Sequence, residues 1–155
     1  MFNHGEQRKA SLKRDGGHGE NYPKSDGENQ LLDCSNEIIT LTLDAAFEVH
    51  RQLGPGLLES VYEQAMAFEL SDRGIAFERQ VDVKAIYKGH DLGLGFRADM
   101  VVDGRLLIEL KAVDELSTSH LAQTMTYLRL LKLKRGLLLN FNKRLMKEGI
   151  KHVAL

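Results

Sequence analysis

Residues 96–111 read FRADMVVDGRLLIELK, and three ionisable side chains in this stretch, Asp99, Glu109 and Lys111, stand where a sheet core would hold Val or Ile. Unpaired charges in apolar strands cost several kcal/mol, so such groups are paired with one another or hold a metal. Two carboxylates can ligate a divalent cation, and a lysine beside them can orient or help deprotonate a water. That is the chemistry of phosphodiester hydrolysis.

Whether these groups meet depends on the register of the hairpin they lie on. A two-residue Asp103-Gly104 loop sets Val102 opposite Arg105 and Asp99 opposite Ile108, which separates Asp99 and Glu109 onto opposite faces. A three-residue loop, Asp103-Gly104-Arg105 with Gly104 or Arg105 left-handed, sets Val102 opposite Leu106 and Asp99 opposite Glu109. The two Cβ atoms are then about 5 Å apart. Alternation adds Lys111 to that face and leaves Leu106, Ile108 and Leu110 on the other. The second register is the expected one. Carboxylates so close repel unless a proton or cation sits between them, and Mg2+ or Mn2+, which favour oxygen ligands, suit the place. The competing reading is a Glu–Lys or Asp–Lys ion pair that fastens the hairpin.

The elements that must position this hairpin follow from periodicity. Ile38, Leu41, Ala45, Val49 and Leu53 recur at helical spacing and predict a helix over 36–53, ended by Gly54-Pro55-Gly56. A second helix over 58–73 carries Val61, Ala65 and Phe68 and closes at Gly74. Strands are expected over 77–81 and 83–87, continuous through a bulge, then a turn over 88–91 and strands over 96–102 and 106–111. Ser117 opens the third helix, 119–133. The apolar run 136–140 is a buried strand parallel to the sheet, and 150–154 a last short strand. The order is α-α-β-β-β-α-β, an α/β (α+β) fold with a mixed central sheet flanked by helices. Residues 1–32, polar and without period, read as a disordered or loosely attached tail, and 33–155 as the domain.

At 155 residues with 43% hydrophobic and 28% charged residues, the chain has the composition of an ordinary soluble protein. Its one cysteine, Cys34, allows no internal disulfide and no Cys-based zinc site. No stretch has the look of a signal peptide or membrane span, so a cytoplasmic location is expected. The net charge of −1 conceals an asymmetry: residues 116–155 hold eight basic residues and one acid, residues 34–115 eight basic and fifteen acidic. The basic set includes Lys132, Lys134, Arg135, Lys143 and Arg144, candidates for contacts to nucleic-acid phosphates.

The segment Gly56-Leu57-Leu58-Glu59-Ser60-Val61-Tyr62 matches the G-x-x-E-x-x-Y pattern of a small bacterial family placed in the PD-(D/E)xK nuclease superfamily. The resemblance runs over FEVHRQLGPGLLESVYEQA, FRADMVV…IELKAV, LAQTMTYLRL and GLLLNF…GIKHVAL, about residues 36–155. It implies a restriction-endonuclease-like core. Asp99 and Glu109 resemble the metal-binding carboxylates and Lys111 the catalytic lysine. Glu59 corresponds to the helical glutamate that completes the metal shell in many members, and Gln123 and Tyr127 to a supporting Q-x-x-x-Y element. Ala98 stands where the motif's name has proline. Tyr62 and His50 are further supporting candidates, each with a packing role as the plainer reading. Arg97 is expected to serve the sheet face away from Asp99, and Asn140 and Asn142 the rim of the site.

Three carboxylates facing one lysine favour a cation over a simple salt bridge. The expected function is a Mg2+- or Mn2+-dependent nuclease acting on nucleic acid, DNA before RNA, without sequence specificity. The alternative is a non-catalytic binding or assembly module that kept the fold and the metal site. So small a domain has little surface with which to grip a duplex, which points to a homodimer or a partner protein.

Overall fold

A computed structural model describes the backbone of residues 26–155 and the side chains from Ser35 onward. Helix α1 (Asp26–Leu53) is followed by α2 (Glu59–Asp72), β1 (Phe77–Tyr87), β2 (His90–Val102) and β3 (Leu106–Lys111). After these come α3 (Thr118–Leu131), β4 (Arg135–Asn140), a 3-10 turn (Met146–Gly149) and β5 (Ile150–Ala154). α1 starts ten residues before the expected 36, so its first turns occupy part of the stretch read as a tail. The rest of that stretch, residues 1–25, lies outside the described residues. The strands form one sheet in the order β1-β2-β3-β4-β5. Only β3 and β4 run parallel, and α3 is their crossover. The expected mixed sheet and element order are present. Among the described residues no helix is long and apolar enough to cross a membrane.

Two apolar layers sandwich the sheet. α1 and α2 cover Met100, Val102, Leu106, Ile108, Leu110, Leu137 and Leu139. α3 covers Val83, Ala98, Val101, Leu107 and Leu138 through Tyr127 and Leu128. Alternation along β3 therefore puts Leu107, Glu109 and Lys111 on the α3 side. The buried face of α2 is Tyr62, Met66, Ala67 and Leu70, whereas Val61 and Phe68, apolar residues that marked the helix in the sequence, are exposed. α2 carries apolar residues all around, so periodicity could not select the face; contact with α1 and β3 did.

The local stops behave as their residues require. Gly74 (φ 67) ends α2. Ser117 caps α3 reciprocally with His120: Ser117 Oγ accepts the His120 N–H at 3.3 Å, and His120 Nδ1 accepts the Ser117 N–H at 3.0 Å. The turn expected over 88–91 is shorter, since only Lys88 and Gly89 separate the paired Tyr87 and His90, and β2 therefore starts at His90. Both turn residues have positive φ, the conformation that matches a hairpin's twist.

One irregularity bears on the site. Arg79 pairs with Met100 and Val81 with Ala98, so Gln80 stands opposite Asp99, and Gln80 has φ 50. The facing of side chains changes there. Ala98 packs toward α3 while Met100 packs toward α1 and α2, although residues two apart normally share a face. Phe96, its ring 5.3 Å from that of Tyr127, is on the α3 side as well. Arg97 is thereby turned the other way, as expected of it, and bonds to Asp82 on β1 at 3.0 Å.

Candidate functional site

The β2–β3 register is Met100↔Ile108, Val101↔Leu107 and Val102↔Leu106, which is the three-residue-loop register and continues to Asp99 opposite Glu109. The left-handed residues are Asp103 (φ 51) and Gly104 (φ 62), not Arg105. A bond from the Arg105 N–H to the Val102 carbonyl closes the turn at 3.0 Å. Arg105 is the extra residue that fixes the pairing.

Regular pairing stops at Met100, and beyond it the side chains of Asp99 and Glu109 complete the ladder. The Asp99 N–H donates to Glu109 Oε1 at 3.1 Å, and the Leu110 N–H donates to Asp99 Oδ2 at 2.7 Å. Each carboxylate has replaced a cross-strand carbonyl as acceptor. The strands fork here, and neither bond uses the second oxygen of either acid. Glu109 is 3% exposed. Burial, reinforced by the neighbouring Asp99 carboxylate, pushes its carboxyl up to about 8. Burial also raises Asp99, with the Leu110 amide and Lys111 opposing and Glu63 and Glu59 adding to the rise. Lys111 acts on both acids at a distance, and no ion pair within 4.0 Å joins it to either among the described residues. The reading of a Glu–Lys or Asp–Lys salt bridge is not what holds the hairpin.

A family model described as the PD-(D/E)XK nuclease superfamily matches residues 36–153. The chain belongs to this superfamily. No curated protein and no solved structure gave a significant match.

Within that superfamily's core, the fork also draws in side chains from two helices. Tyr127 of α3 lies beside it. Burial, then the Glu109 and Asp99 charges, raise its phenol to about 12, partly offset by the adjacent Gln123 side chain. Glu59, the first residue of α2, is exposed but close enough to raise both acids. Glu63, one turn further on, was not anticipated, although its i, i+4 spacing from Glu59 was a usable signal. It accepts from Arg79 Nε at 2.9 Å and Gln80 Nε2 at 2.8 Å, which fastens α2 to the irregular point of β1 opposite Asp99. Among the described residues no three His, Cys, Asp or Glu side chains converge closely enough to hold a metal together. The donor set that fits a hard divalent cation is the Asp99–Glu109 pair: acid-only oxygens, adjacent, partly desolvated and mutually repelling.

Other candidates are placed elsewhere. The Tyr62 hydroxyl donates to the Gly54 carbonyl at 2.6 Å and accepts the Leu57 N–H at 3.1 Å, while its ring stacks on Phe141 at 4.6 Å. It is fully buried and holds the Gly54-Pro55-Gly56 loop. His50 Nε2 lies 2.8 Å from the Lys143 carbonyl and ties α1 to the segment after β4. Asn140 is buried too. Its Oδ1 accepts the Val113 and Asn142 amides at 3.1 and 3.2 Å, and its Nδ2 donates to the Val113 carbonyl at 2.8 Å. These three read as structural supports of the site's surroundings. The basic candidates fall into two groups. Lys143 and Arg144 follow the Asn140 end of β4, which pairs with Lys111, and Lys143 contacts Glu115. Lys132, Lys134 and Arg135 precede or open β4, where Arg135 pairs with Leu106 at the other end of β3.

Proposed function

We propose that this domain is a divalent-metal-dependent nuclease that cleaves nucleic acid, DNA before RNA, without sequence specificity. The observation that carries the reading is the fork: two adjacent, partly desolvated carboxylates, each anchored by a cross-strand amide, with a lysine two residues from one of them. Asp99 and Glu109 would hold Mg2+ or Mn2+, which would polarise the scissile phosphate and acidify a bound water. Lys111 would orient the attacking water and stabilise charge developing on the phosphate oxygens. Tyr127 keeps its proton and, with Gln123, supplies hydrogen bonds at the α3 wall. Glu59 adds negative charge from the α2 side, and Lys143 and Arg144 draw the phosphate backbone toward the Lys111 end. A homodimer or partner protein would supply the grip that one small domain lacks.

The second reading, a non-catalytic module that retains the metal site, is favoured by one observation: Glu59 does not converge with Asp99 and Glu109. Titration of Mn2+ and Mg2+ into the wild-type protein and into the Asp99→Asn/Glu109→Gln double variant separates the two, combined with cleavage assays on single- and double-stranded DNA and RNA. Binding and metal-dependent cleavage that both vanish in the variant are expected. Binding without cleavage of any substrate supports the second reading, and wild-type protein that binds no metal overturns both.

A further inference from the structure

Away from the fork, the α3–β4 connection, the β2–β3 turn and α1 enclose a cavity of about 320 Å³ lined by Ser35, Gly104, Arg105, Lys132, Lys134 and Arg135 together with Leu133. Among the described residues four cationic side chains line it and no carboxylate does. Arg105 is partly neutralised by Asp103, and Arg135 Nη1 donates to Asn36 Oδ1 at 3.3 Å. Lys132 and Lys134 enter no ion pair among the described residues. One lysine at a helix C-terminus is explained by the helix dipole. Convergence of three further cations from a different turn and from a strand start is not. Like charges brought together around a concavity repel, and an anion between them relieves that cost.

We propose that this cavity binds a short chain of phosphate groups, separately from the carboxylate fork. Leu106, which pairs with Arg135, is three residues from Glu109 along β3, about 10 Å at strand rise, so a phosphate in the cavity is not the one at the metal. The volume is at the low end of small-ligand sites, roughly 300–1,000 Å³, which suits an oligophosphate rather than a base. The phosphates come either from a nucleic-acid strand or from a free nucleotide or polyphosphate. The inference does not depend on the domain being a nuclease.

The test is titration of inorganic triphosphate and, in parallel, a short oligothymidylate, both in EDTA at low salt. Three proteins are compared: wild type, Lys132→Ser/Lys134→Ser, and Lys147→Ser/Lys151→Ser, which removes the same charge at exposed positions outside both clusters. The expected result is triphosphate binding weakened about tenfold or more in the first variant and within about twofold of wild type in the second. Oligothymidylate affinity that falls with it, with a shallower salt dependence, identifies a strand backbone as the source. Unchanged oligothymidylate affinity identifies the free polyphosphate. No triphosphate binding by the wild-type protein, or equal weakening in both variants, overturns the site. Mn2+ binding at the fork, measured on the same three proteins without EDTA, should be unaffected, so failure here is distinct from failure of the nuclease reading.

Discussion

Glu109 links burial to protonation. Its ordinary carboxyl value of 4.5 is raised to about 8 in the fold. A group raised in this way favours the folded state below its unfolded value and loses that contribution as the pH climbs through the folded one. Metal-free protein should therefore melt lower at pH 8 than at pH 5, and Glu109→Gln, which cannot ionise, should flatten the profile. Identical pH profiles for the two proteins would refute this. A bound cation displaces the proton, so Mn2+ titration at pH 7 in buffers of different ionisation enthalpy should report about one proton released per ion. Tyr62 offers the opposite case. Tyr62→Phe leaves the Gly54 carbonyl and the Leu57 amide without their partner, at a cost of about 1–3 kcal/mol in denaturant unfolding. It should leave Mn2+ affinity untouched; a change in that affinity would return Tyr62 to the site.

At the scale of elements, a turn and a close approach set the geometry. The three-residue loop makes the β2–β3 register odd enough to bring Asp99 opposite Glu109, and Gly104 at φ 62 serves it without steric cost. Gly104→Ala should cost about 1 kcal/mol. Gly149 is a harder constraint. A Cβ there would sit 2.0 Å from the Asn140 carbonyl oxygen, so the 3-10 turn and the end of β4 cannot both stay in place. Gly149→Ala should destabilise the domain by about 3 kcal/mol or more, or prevent folding. A thermal shift of only a degree or two would contradict that contact. Since Asn140 also anchors Val113, damage here should loosen the segment following Lys111.

For the whole molecule, charge is distributed by position rather than by total. A net charge of −1 gives no general attraction to a polyanion, so binding must rely on local clusters. These lie at both ends of the β3–β4 pair, with the carboxylates nearer the Lys111 end. Lys143 is already in contact with Glu115. Lys143→Ser/Arg144→Ser should therefore reduce the slope of log affinity against log salt for an oligonucleotide by about one rather than two. Electrophoretic or anisotropy titrations over a salt series would decide. A drop of two would mean that Glu115 releases Lys143 when nucleic acid binds.

The order of elements, the parallel strand after α3 and the Asp99–Glu109 pairing were legible in the sequence. Each rests on local chemistry: period, caps, and a Gly-containing loop whose length fixes register. The burial face of α2 was not legible, because apolar residues surround that helix and only its neighbours choose among them. Glu63 was hidden for a related reason. Its importance comes from Arg79 and Gln80, which the chain brings to it from sixteen and seventeen residues away. The sequence by itself determined which residue types stand on β2 and β3, and hence what chemistry is available there. Only the tertiary structure decided that β2 and β3 separate at Asp99, that Tyr62 and His50 bond to the backbone of Gly54, Leu57 and Lys143, and that the basic residues divide between two ends of a strand pair. Those outcomes depend on contacts between segments far apart in the chain, which local periodicity does not encode.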